Sequence, residues 1–196
     1  MSPAPELVVL DRDGVLNHLV SHRADGVLES PHAVSEVQIL PGVPEALRRL
    51  TEAGLVVVLA TNQPAAAKGQ VTREELDRIH AAIVAESEQA GGRIARSFIC
   101  YHRAEDGCAC RKPRPGLLTA ALEATPGARA DEAWMVGDRA TDVLAGLAVG
   151  FRTALLGPVW PGDEEMLKNK GFAPFFRGRD LPEFADFRLK SRRISE

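Results

Sequence analysis

Residues 7–17 of this 196-residue chain read LVVLDRDGVLN, an apolar run that ends in two carboxylates one residue apart. The apolar run predicts a buried strand, and the Asp11-Arg12-Asp13-Gly14 segment predicts a loop at its carboxyl end. Ligands of open α/β sheets bind at that edge. Two adjacent carboxylates repel each other unless a cation or a proton separates them, and Mg²⁺ prefers oxygen ligands. The stretch therefore indicates a Mg²⁺ site with a carboxylate nucleophile, although a simple Asp-Gly turn gives the same pattern.

Apolar segments alternate with helical patterns along the rest of the chain. The further predicted strands cover residues 55–60, 97–101, 133–136 and 153–156. Apolar residues recur at helical spacing within 43–50, 76–84 and 143–147, and a further helix is predicted to begin near Leu117. Thr72 and Glu75 resemble a capping box. This alternation predicts an α/β fold with βαβ units and a parallel sheet flanked by helices.

Residues 17–40 form a connection that is longer than an ordinary strand-to-helix loop. Short apolar pieces within it predict a flap or small hairpin over the sheet edge. With 45% hydrophobic residues, the chain can bury one core, so we expect a single domain over residues 1–196.

The charge balance and hydropathy exclude several classes of protein. The chain has 24 basic and 27 acidic residues, a balance that argues against a broad nucleic-acid surface. No apolar run reaches the roughly 18 residues of a membrane helix, and the amino terminus lacks the features of a signal peptide. We therefore expect a cytoplasmic monomer without nucleic-acid or membrane partners, with a frayed tail at residues 188–193.

Polar residues also follow the second and fourth predicted strands. Thr61, Asn62 and Gln63 end the second strand, where a hydroxyl and backbone N–H groups suit a phosphate oxygen, although Thr61 could equally cap a turn. Asp138 ends the fourth strand, and Asp142 lies one helical turn further on. The two acidic residues could alternatively serve only to cap the helix that follows.

A rigid loop with two prolines, residues 110–116 (CRKPRPG), precedes the helix near Leu117. Lys112 on this loop can reach the sheet edge, where it would neutralise phosphate charge and pair with Asp142. A solvated loop cation is the alternative.

In this order, the DxDG segment, the strand-end Thr-Asn, the loop lysine and the segment Gly137–Asp142 resemble the four motifs of the haloacid dehalogenase phosphohydrolase superfamily. The resemblance spans residues 7–156. It implies a Rossmann-like, HAD-type parallel sheet, and no insertion in this chain is long enough to form a large cap domain.

Three cysteines and a histidine are clustered in the pattern Cys-x-His-x5-Cys-x-Cys. The residues are Cys100, His102, Cys108 and Cys110. Three thiolates and an imidazole suit tetrahedral Zn²⁺, and a site with four protein ligands is structural rather than catalytic. Three free cysteines beside an incidental histidine are the alternative. The loop at 100–112 resembles the zinc loop of heptose-bisphosphate phosphatases and, less closely, that of histidinol-phosphate phosphatases. The other histidines, at 18, 22, 32 and 80, are interpreted as surface residues.

The resemblance assigns a role to each motif residue. Asp11 is the implied nucleophile, which forms an aspartyl-phosphate, and Asp13 is the implied general acid and base. Mg²⁺ is held by the carboxylates of Asp11 and Asp138 and by the backbone carbonyl of Asp13. The transferring phosphoryl group contacts Thr61, Asn62, Gln63 and Lys112, and Asp142 orients Lys112. The rest of the substrate contacts Arg111, Arg139 and the flap residues Asp25, Gly26 and Val27.

The implied function is Mg²⁺-dependent removal of the 7-phosphate from D-glycero-D-manno-heptose 1,7-bisphosphate. A histidinol-phosphate phosphatase, or another phosphatase of small phosphorylated metabolites, is the alternative within the class. A zinc-containing binding module without catalysis is the alternative outside it. Pro64 in the loop after the second strand, Val27 in the flap and the short zinc loop depart from the family pattern and leave the substrate open.

Overall fold

A computed structural model describes residues 4–22 and 26–193, with side chains to residue 191. The strands of this part are β1 (Leu7–Leu10), β2 (Val20–Ser21), β3 (Leu28–Glu29), β4 (Val56–Asn62), β5 (Arg96–Cys100), β6 (Trp134–Gly137), β7 (Arg152–Leu156) and β8 (Phe176–Gly178). The helices are α1 (Val43–Glu52), α2 (Arg73–Glu88), α3 (Gly116–Glu123), α4 (Ala140–Val149), α5 (Asp163–Asn169) and α6 (Leu181–Arg193). A short 3₁₀ turn covers Val34–Glu36.

Six strands form one parallel sheet in the order β5-β4-β1-β6-β7-β8. β1 lies between the two halves, and its Val9 pairs with Val58 of β4 and Met135 of β6. From β1 the chain builds the sheet outward through β4 and β5, and then returns to place β6 on the other side of β1. The strand order therefore reverses beside β1, which is where open α/β sheets form their ligand crevice.

Both faces of β1 are buried, because side chains alternate along a strand and helices cover both sides of the sheet. Val8 and Leu10 belong to the core cluster that includes residues of α1, α2 and α6. Leu7 and Val9 belong to the cluster that includes residues of α3 and α4. This double burial explains why the opening strand is a continuous apolar run rather than an alternating one.

The predicted architecture is confirmed. Each of the five predicted strands is present to within two residues. The Thr72 hydroxyl accepts the Glu75 N–H at 3.1 Å, which is one half of the predicted capping box, whereas the Glu75 carboxylate accepts from the Val34 N–H at 3.4 Å and pairs with Arg78. The long connection contains the antiparallel pair β2–β3, which is the predicted small hairpin. In the described residues no helix is both long and apolar enough to span a membrane.

Three expectations about local structure are wrong. The tail predicted to fray continues as helix α6 to residue 193, and the Arg188 guanidinium pairs with Glu6. Of the four histidines interpreted as surface residues, His22 and His32 are half-buried and stack with ring centroids 3.8 Å apart. His80 is also half-buried, and burial lowers its pKa to about 4. Each correction depends on a partner distant in sequence, which local patterns do not report.

Candidate active site

The carboxyl ends of β1, β4 and β6 meet at one edge of the sheet, around a cavity of about 170 Å³. The backbone N–H of Asp11 donates to the Val136 carbonyl at 2.8 Å, so the ends of β1 and β6 are held together. Eight of the residues predicted for catalysis, substrate contact and Mg²⁺ line this cavity: Asp11, Asp13, Thr61, Asn62, Lys112, Asp138, Arg139 and Asp142.

Two glycines allow the carboxylates to approach the backbone. Gly14 has a φ of +80°, and a Cβ at this position would lie 2.4 Å from Asp138 Oδ2. A Cβ on Gly137 would lie 2.2 Å from Asp142 Oδ2. Glycine therefore follows the first carboxylate pair and precedes Asp138 because a side chain at either position would displace a carboxylate.

Lys112 is the central cation of the site. Its ammonium donates to the Ala60 carbonyl oxygen at 2.7 Å and forms ion pairs with Asp11 Oδ1 at 3.0 Å and Asp142 Oδ1 at 2.7 Å. Burial acts to lower the pKa of Lys112, but Asp11 and Asp142 outweigh it and hold the pKa above its usual value. The side chain of Asn62 fixes this loop through 3.1 Å hydrogen bonds to the Lys112 carbonyl and N–H.

Three carboxylates converge on the cavity: single oxygens of Asp11, Asp138 and Asp142 lie within 4.8 Å of one another. Burial, followed by the neighbouring Asp142 and Asp11 carboxylates, raises the pKa of Asp138 to about 8. Burial likewise raises the pKa of Asp11 to about 6, against the opposing effect of Lys112. One ammonium does not neutralise three carboxylates, and the donors are all oxygen. The cluster therefore fits a hard divalent cation such as Mg²⁺.

Asp13 has an environment unlike that of Asp11. Its Oδ1 accepts from the Arg12 guanidinium and from Asn17 Nδ2 at 2.9 Å, and its Oδ2 accepts from Gln63 Nε2 at 2.6 Å and Ser30 Oγ at 3.0 Å. Burial acts to raise the pKa of Asp13, but Arg12 and the hydrogen bonds together hold it below its usual value. The two carboxylates of the opening motif are therefore chemically distinct.

The predicted zinc ligands form a compact cluster at the end of β5. The sulfur of Cys110 lies 3.2 Å from that of Cys100, 3.4 Å from that of Cys108 and 3.3 Å from His102 Nδ1. A tetrahedral zinc ion with bonds of about 2.0–2.3 Å separates its ligand atoms by roughly 3.5–3.8 Å. A disulfide requires a separation of about 2 Å, which none of these pairs approaches. The cluster therefore fits a four-coordinate metal with no open position.

Other predicted contacts lie elsewhere. Arg111 lines a separate cavity of about 230 Å³, and its guanidinium donates to the His102 carbonyl at 3.2 Å. The buried side chain of Gln63 contacts Asp13 rather than lining the main cavity. Val27 lines a third cavity beside the flap, and Gly26, two residues before β3, lines none of the three cavities. Asp25 lies outside the described residues.

Two further side chains of the cavity are missed by sequence reasoning. Ser30 follows β3 and contacts Asp13, and Trp160 follows β7 and donates from its indole to Asp138 Oδ2 at 3.0 Å. For Trp160 a signal was present, because it follows a strand whose carboxyl end lies at the same sheet edge. No local pattern distinguishes Ser30 from other flap residues.

Comparisons with known proteins agree with this geometry. The family model of the haloacid dehalogenase-like hydrolases matches residues 10–150. The chain is 35% identical over 151 residues to D-glycero-beta-D-manno-heptose-1,7-bisphosphate 7-phosphatase of Pseudomonas putida, covering 77% of this chain and 82% of that protein. It is 32% identical over 137 residues to the bifunctional histidine-biosynthesis protein HisB of Legionella pneumophila, covering 70% of this chain and 37% of that protein.

Among solved structures, the fold is similar to that of D,D-heptose 1,7-bisphosphate phosphatase from B. bronchiseptica, which was determined with magnesium and phosphate. The TM-score is 0.77 at 32% identity, over 95% of this chain and 99% of that one. The chain therefore shares its overall fold with a solved heptose bisphosphate phosphatase.

Proposed function

This chain belongs to the haloacid dehalogenase-like hydrolases and is a phosphatase, and from that premise we propose that it removes the 7-phosphate of a heptose 1,7-bisphosphate. The observation that carries the chemistry is Lys112, which bridges Asp11 and Asp142 beside the carboxylate of Asp138. The substrate is supported by the names of the relatives. Because the chain belongs to this family of hydrolases, the alternative hypothesis of a zinc-containing binding module without catalysis is set aside.

In the proposed first step the Asp11 carboxylate attacks phosphorus, and the bond from phosphorus to the sugar oxygen breaks. The phosphoryl group becomes bonded to Asp11, and the leaving oxygen takes a proton from Asp13. Lys112 remains ammonium throughout, since its pKa is held high, and it balances charge on the phosphoryl oxygens. The hydroxyl of Thr61 and the amide of Asn62, both on the cavity wall, contact the same oxygens.

In the proposed second step Asp13 removes a proton from water, which attacks phosphorus and releases Asp11. The lowered pKa of Asp13 favours the carboxylate form that this step requires, so the proton that Asp13 gives in the first step must be taken up when the substrate binds. Bound Mg²⁺, held by Asp11, Asp138 and the Asp13 backbone carbonyl, supplies the charge neutralisation that lets a carboxylate approach a phosphate dianion. Asp142 holds Lys112 in place without contacting the substrate.

We assign the second phosphate of the substrate to Arg111. The cavity that Arg111 lines is also lined by Arg114 and borders Lys112, which contributes to the walls of both cavities. A dianion held there would lie next to the phosphoryl site on its zinc-loop side, where the guanidinium can bind it in a bidentate manner. Arg139, 45% exposed at the cavity rim, is assigned to sugar hydroxyls.

The phosphatase chemistry is tested by comparing wild type with Asp11→Asn on p-nitrophenyl phosphate in the presence of Mg²⁺. The amide cannot form the aspartyl-phosphate, so we expect a loss of at least about 1,000-fold in kcat. Equal rates from the two proteins would contradict a covalent mechanism at Asp11.

The substrate assignment is tested separately with Arg111→Ala on heptose 1,7-bisphosphate and on a heptose monophosphate. We expect kcat/KM for the bisphosphate to fall by about 10- to 100-fold and that for the monophosphate to change little, because only one substrate carries the second anion. Arg152→Ala is the control variant, because it also removes an arginine. Arg152 is exposed at the amino end of β7, at the edge of the sheet opposite the site. If Arg111→Ala turned over the bisphosphate at the wild-type rate, the assignment of the second phosphate to Arg111 would be wrong.

Histidinol phosphate is the second candidate substrate, favoured by the similarity to HisB. It carries one phosphate and a cationic amine, so Arg111 would repel rather than bind its leaving group. Parallel assays of phosphate release from both compounds distinguish the candidates. A higher kcat/KM for histidinol phosphate would overturn the heptose proposal while leaving the phosphatase chemistry intact.

A further inference from the structure

The loop between β7 and α5 brings an aromatic residue to the carboxylate cluster. Trp160 is half-buried on the cavity wall, and its indole N–H donates to Asp138 Oδ2 at 3.0 Å. Neither the motif residues nor the phosphoryl chemistry described above gives this side chain a task.

Trp160 is held in this position by several contacts. Its carbonyl accepts the Asp163 N–H at 3.0 Å, and the buried Asp163 carboxylate accepts from the Ala140 N–H at 2.8 Å and from the Arg139 guanidinium at 2.9 Å. The Arg139 guanidinium in turn lies 5.1 Å from the centroid of the indole ring. The loop is thereby tied to the first residues of α4, the helix that follows Asp138.

An indole nitrogen only donates hydrogen bonds, so its contact with Asp138 favours the carboxylate over the neutral acid. The contact also engages one oxygen of a side chain that could otherwise rotate, and leaves Oδ1 for a cation. Carboxylates that bind metals are commonly oriented in this way by a hydrogen-bond donor behind them, and loss of that donor weakens the metal site.

We infer that Trp160 is a positioning residue for Asp138, whose indole N–H fixes the carboxylate orientation that binds Mg²⁺. This inference rests on the Mg²⁺ site of the proposed function. It assigns to the β7–α5 loop a part in cation affinity, separate from the residues that contact the phosphoryl group.

The test is a titration of the purified, substrate-free protein with Mg²⁺ by calorimetry. Trp160→Phe keeps an apolar ring but removes the donor, and we expect its Kd for Mg²⁺ to rise by about 10-fold. Trp160→Gln restores a donor without the ring and should recover part of that loss. Val159→Ala, which truncates the exposed neighbour on the same loop, should leave the Kd unchanged.

A second readout is the tryptophan fluorescence of the wild-type protein, with Trp160→Phe as its control. The chain has two tryptophans, and Trp134 is buried among Phe175, Phe184 and Phe187 in the core. Mg²⁺ should therefore change wild-type tryptophan emission through Trp160, and Trp160→Phe should not respond. Wild-type Kd in Trp160→Phe, or wild-type emission unaffected by bound Mg²⁺, would overturn the inference. Absence of Mg²⁺ binding by the wild type would instead overturn the proposed function together with it.

Discussion

Gly14 lies where the loop after β1 passes Asp138, and the space between them is too small for a side chain. A methyl group at this position would meet the Asp138 carboxylate at 2.4 Å, and the φ of +80° is itself unfavourable for any residue with a Cβ. Because Asp138 is the proposed cation ligand, the clash acts directly on metal binding and not only on stability.

We therefore expect Gly14→Ala to weaken Mg²⁺ binding and to lower kcat by on the order of 100-fold. Gly54→Ala is the matched control, since Gly54 has nearly the same φ, +79°, but a methyl group there would have no heavy atom within 4 Å outside the adjoining residues. Both variants should lose about 1 kcal/mol of unfolding free energy to backbone strain. If both kept the same Mg²⁺ Kd, the close approach at Gly14 would have no functional meaning.

Asp13 offers a second prediction at the residue scale, because its two proposed tasks can be separated by the leaving group. p-Nitrophenolate leaves without a proton, whereas a sugar alkoxide needs one. Asp13→Asn should therefore release about one equivalent of nitrophenolate in a rapid burst, and then stall because the aspartyl-phosphate is not hydrolysed. With a sugar phosphate, the same variant should show no burst of free sugar.

Rapid-quench measurements on the two substrates check this expectation. A variant that turned over p-nitrophenyl phosphate steadily at the wild-type rate would show that Asp13 is not the base for the second step. A burst with the sugar phosphate would show that it is not the acid for the first.

The zinc loop is the element most directly open to test. Its four predicted ligand atoms lie within 4.8 Å of one another, and the same loop carries Arg111 and Lys112. Lys112 is also held independently by Asn62 and the Ala60 carbonyl. Arg111 has fewer supports, since its guanidinium donates to the carbonyl of the predicted zinc ligand His102.

Cys108→Ser should consequently lose bound zinc, measured by elemental analysis, and lower the melting temperature by several degrees. Loss of zinc should displace Arg111 further than Lys112. The fold-increase in KM for the bisphosphate should therefore exceed the fold-decrease in kcat for p-nitrophenyl phosphate. Ser97→Ala on the exposed part of β5 is the control. Equal loss on both substrates would show that the loop supports the phosphoryl site as a whole.

Prediction from sequence succeeded for elements whose signal is local. β1, β4 and β6 are apolar runs that end in polar residues, and buried parallel strands produce that pattern directly. It failed for β8 and for Trp160: β8 has only three residues, and the position of Trp160 depends on Asp163 contacting the start of α4. The contact between Gln63 and Asp13 likewise joins residues 50 positions apart, which no motif spacing encodes.

At the scale of the whole molecule, the buried carboxylates link stability to pH and to the cation. In the cation-free protein the pKa of Asp138 is about 8 and that of Asp11 about 6, both above the usual value. Between about pH 4 and pH 8 the folded chain binds more protons than the unfolded chain, so these groups lower the free energy of unfolding as pH rises. His80, with a pKa of about 4, acts oppositely, and its effect is confined to pH values below about 6.5.

The melting temperature of the Mg²⁺-free protein should therefore fall between about pH 7.5 and pH 8.5, where His80 is essentially neutral in both states. Mg²⁺ binds the deprotonated carboxylates, so its stabilisation should grow over the same range. When Mg²⁺ is present at a hundred times its Kd, the stabilisation is about 2.7 kcal/mol, or roughly 5–10 °C in a chain of this length.

Asp138→Asn removes the carboxyl group whose pKa is raised most, so this variant should melt higher than wild type at pH 8.5 without Mg²⁺. It should also respond less to the ion. Calorimetric scans of both proteins at matched pH check this, and a wild-type response to Mg²⁺ that is constant with pH would show that proton release from these carboxyls does not accompany binding.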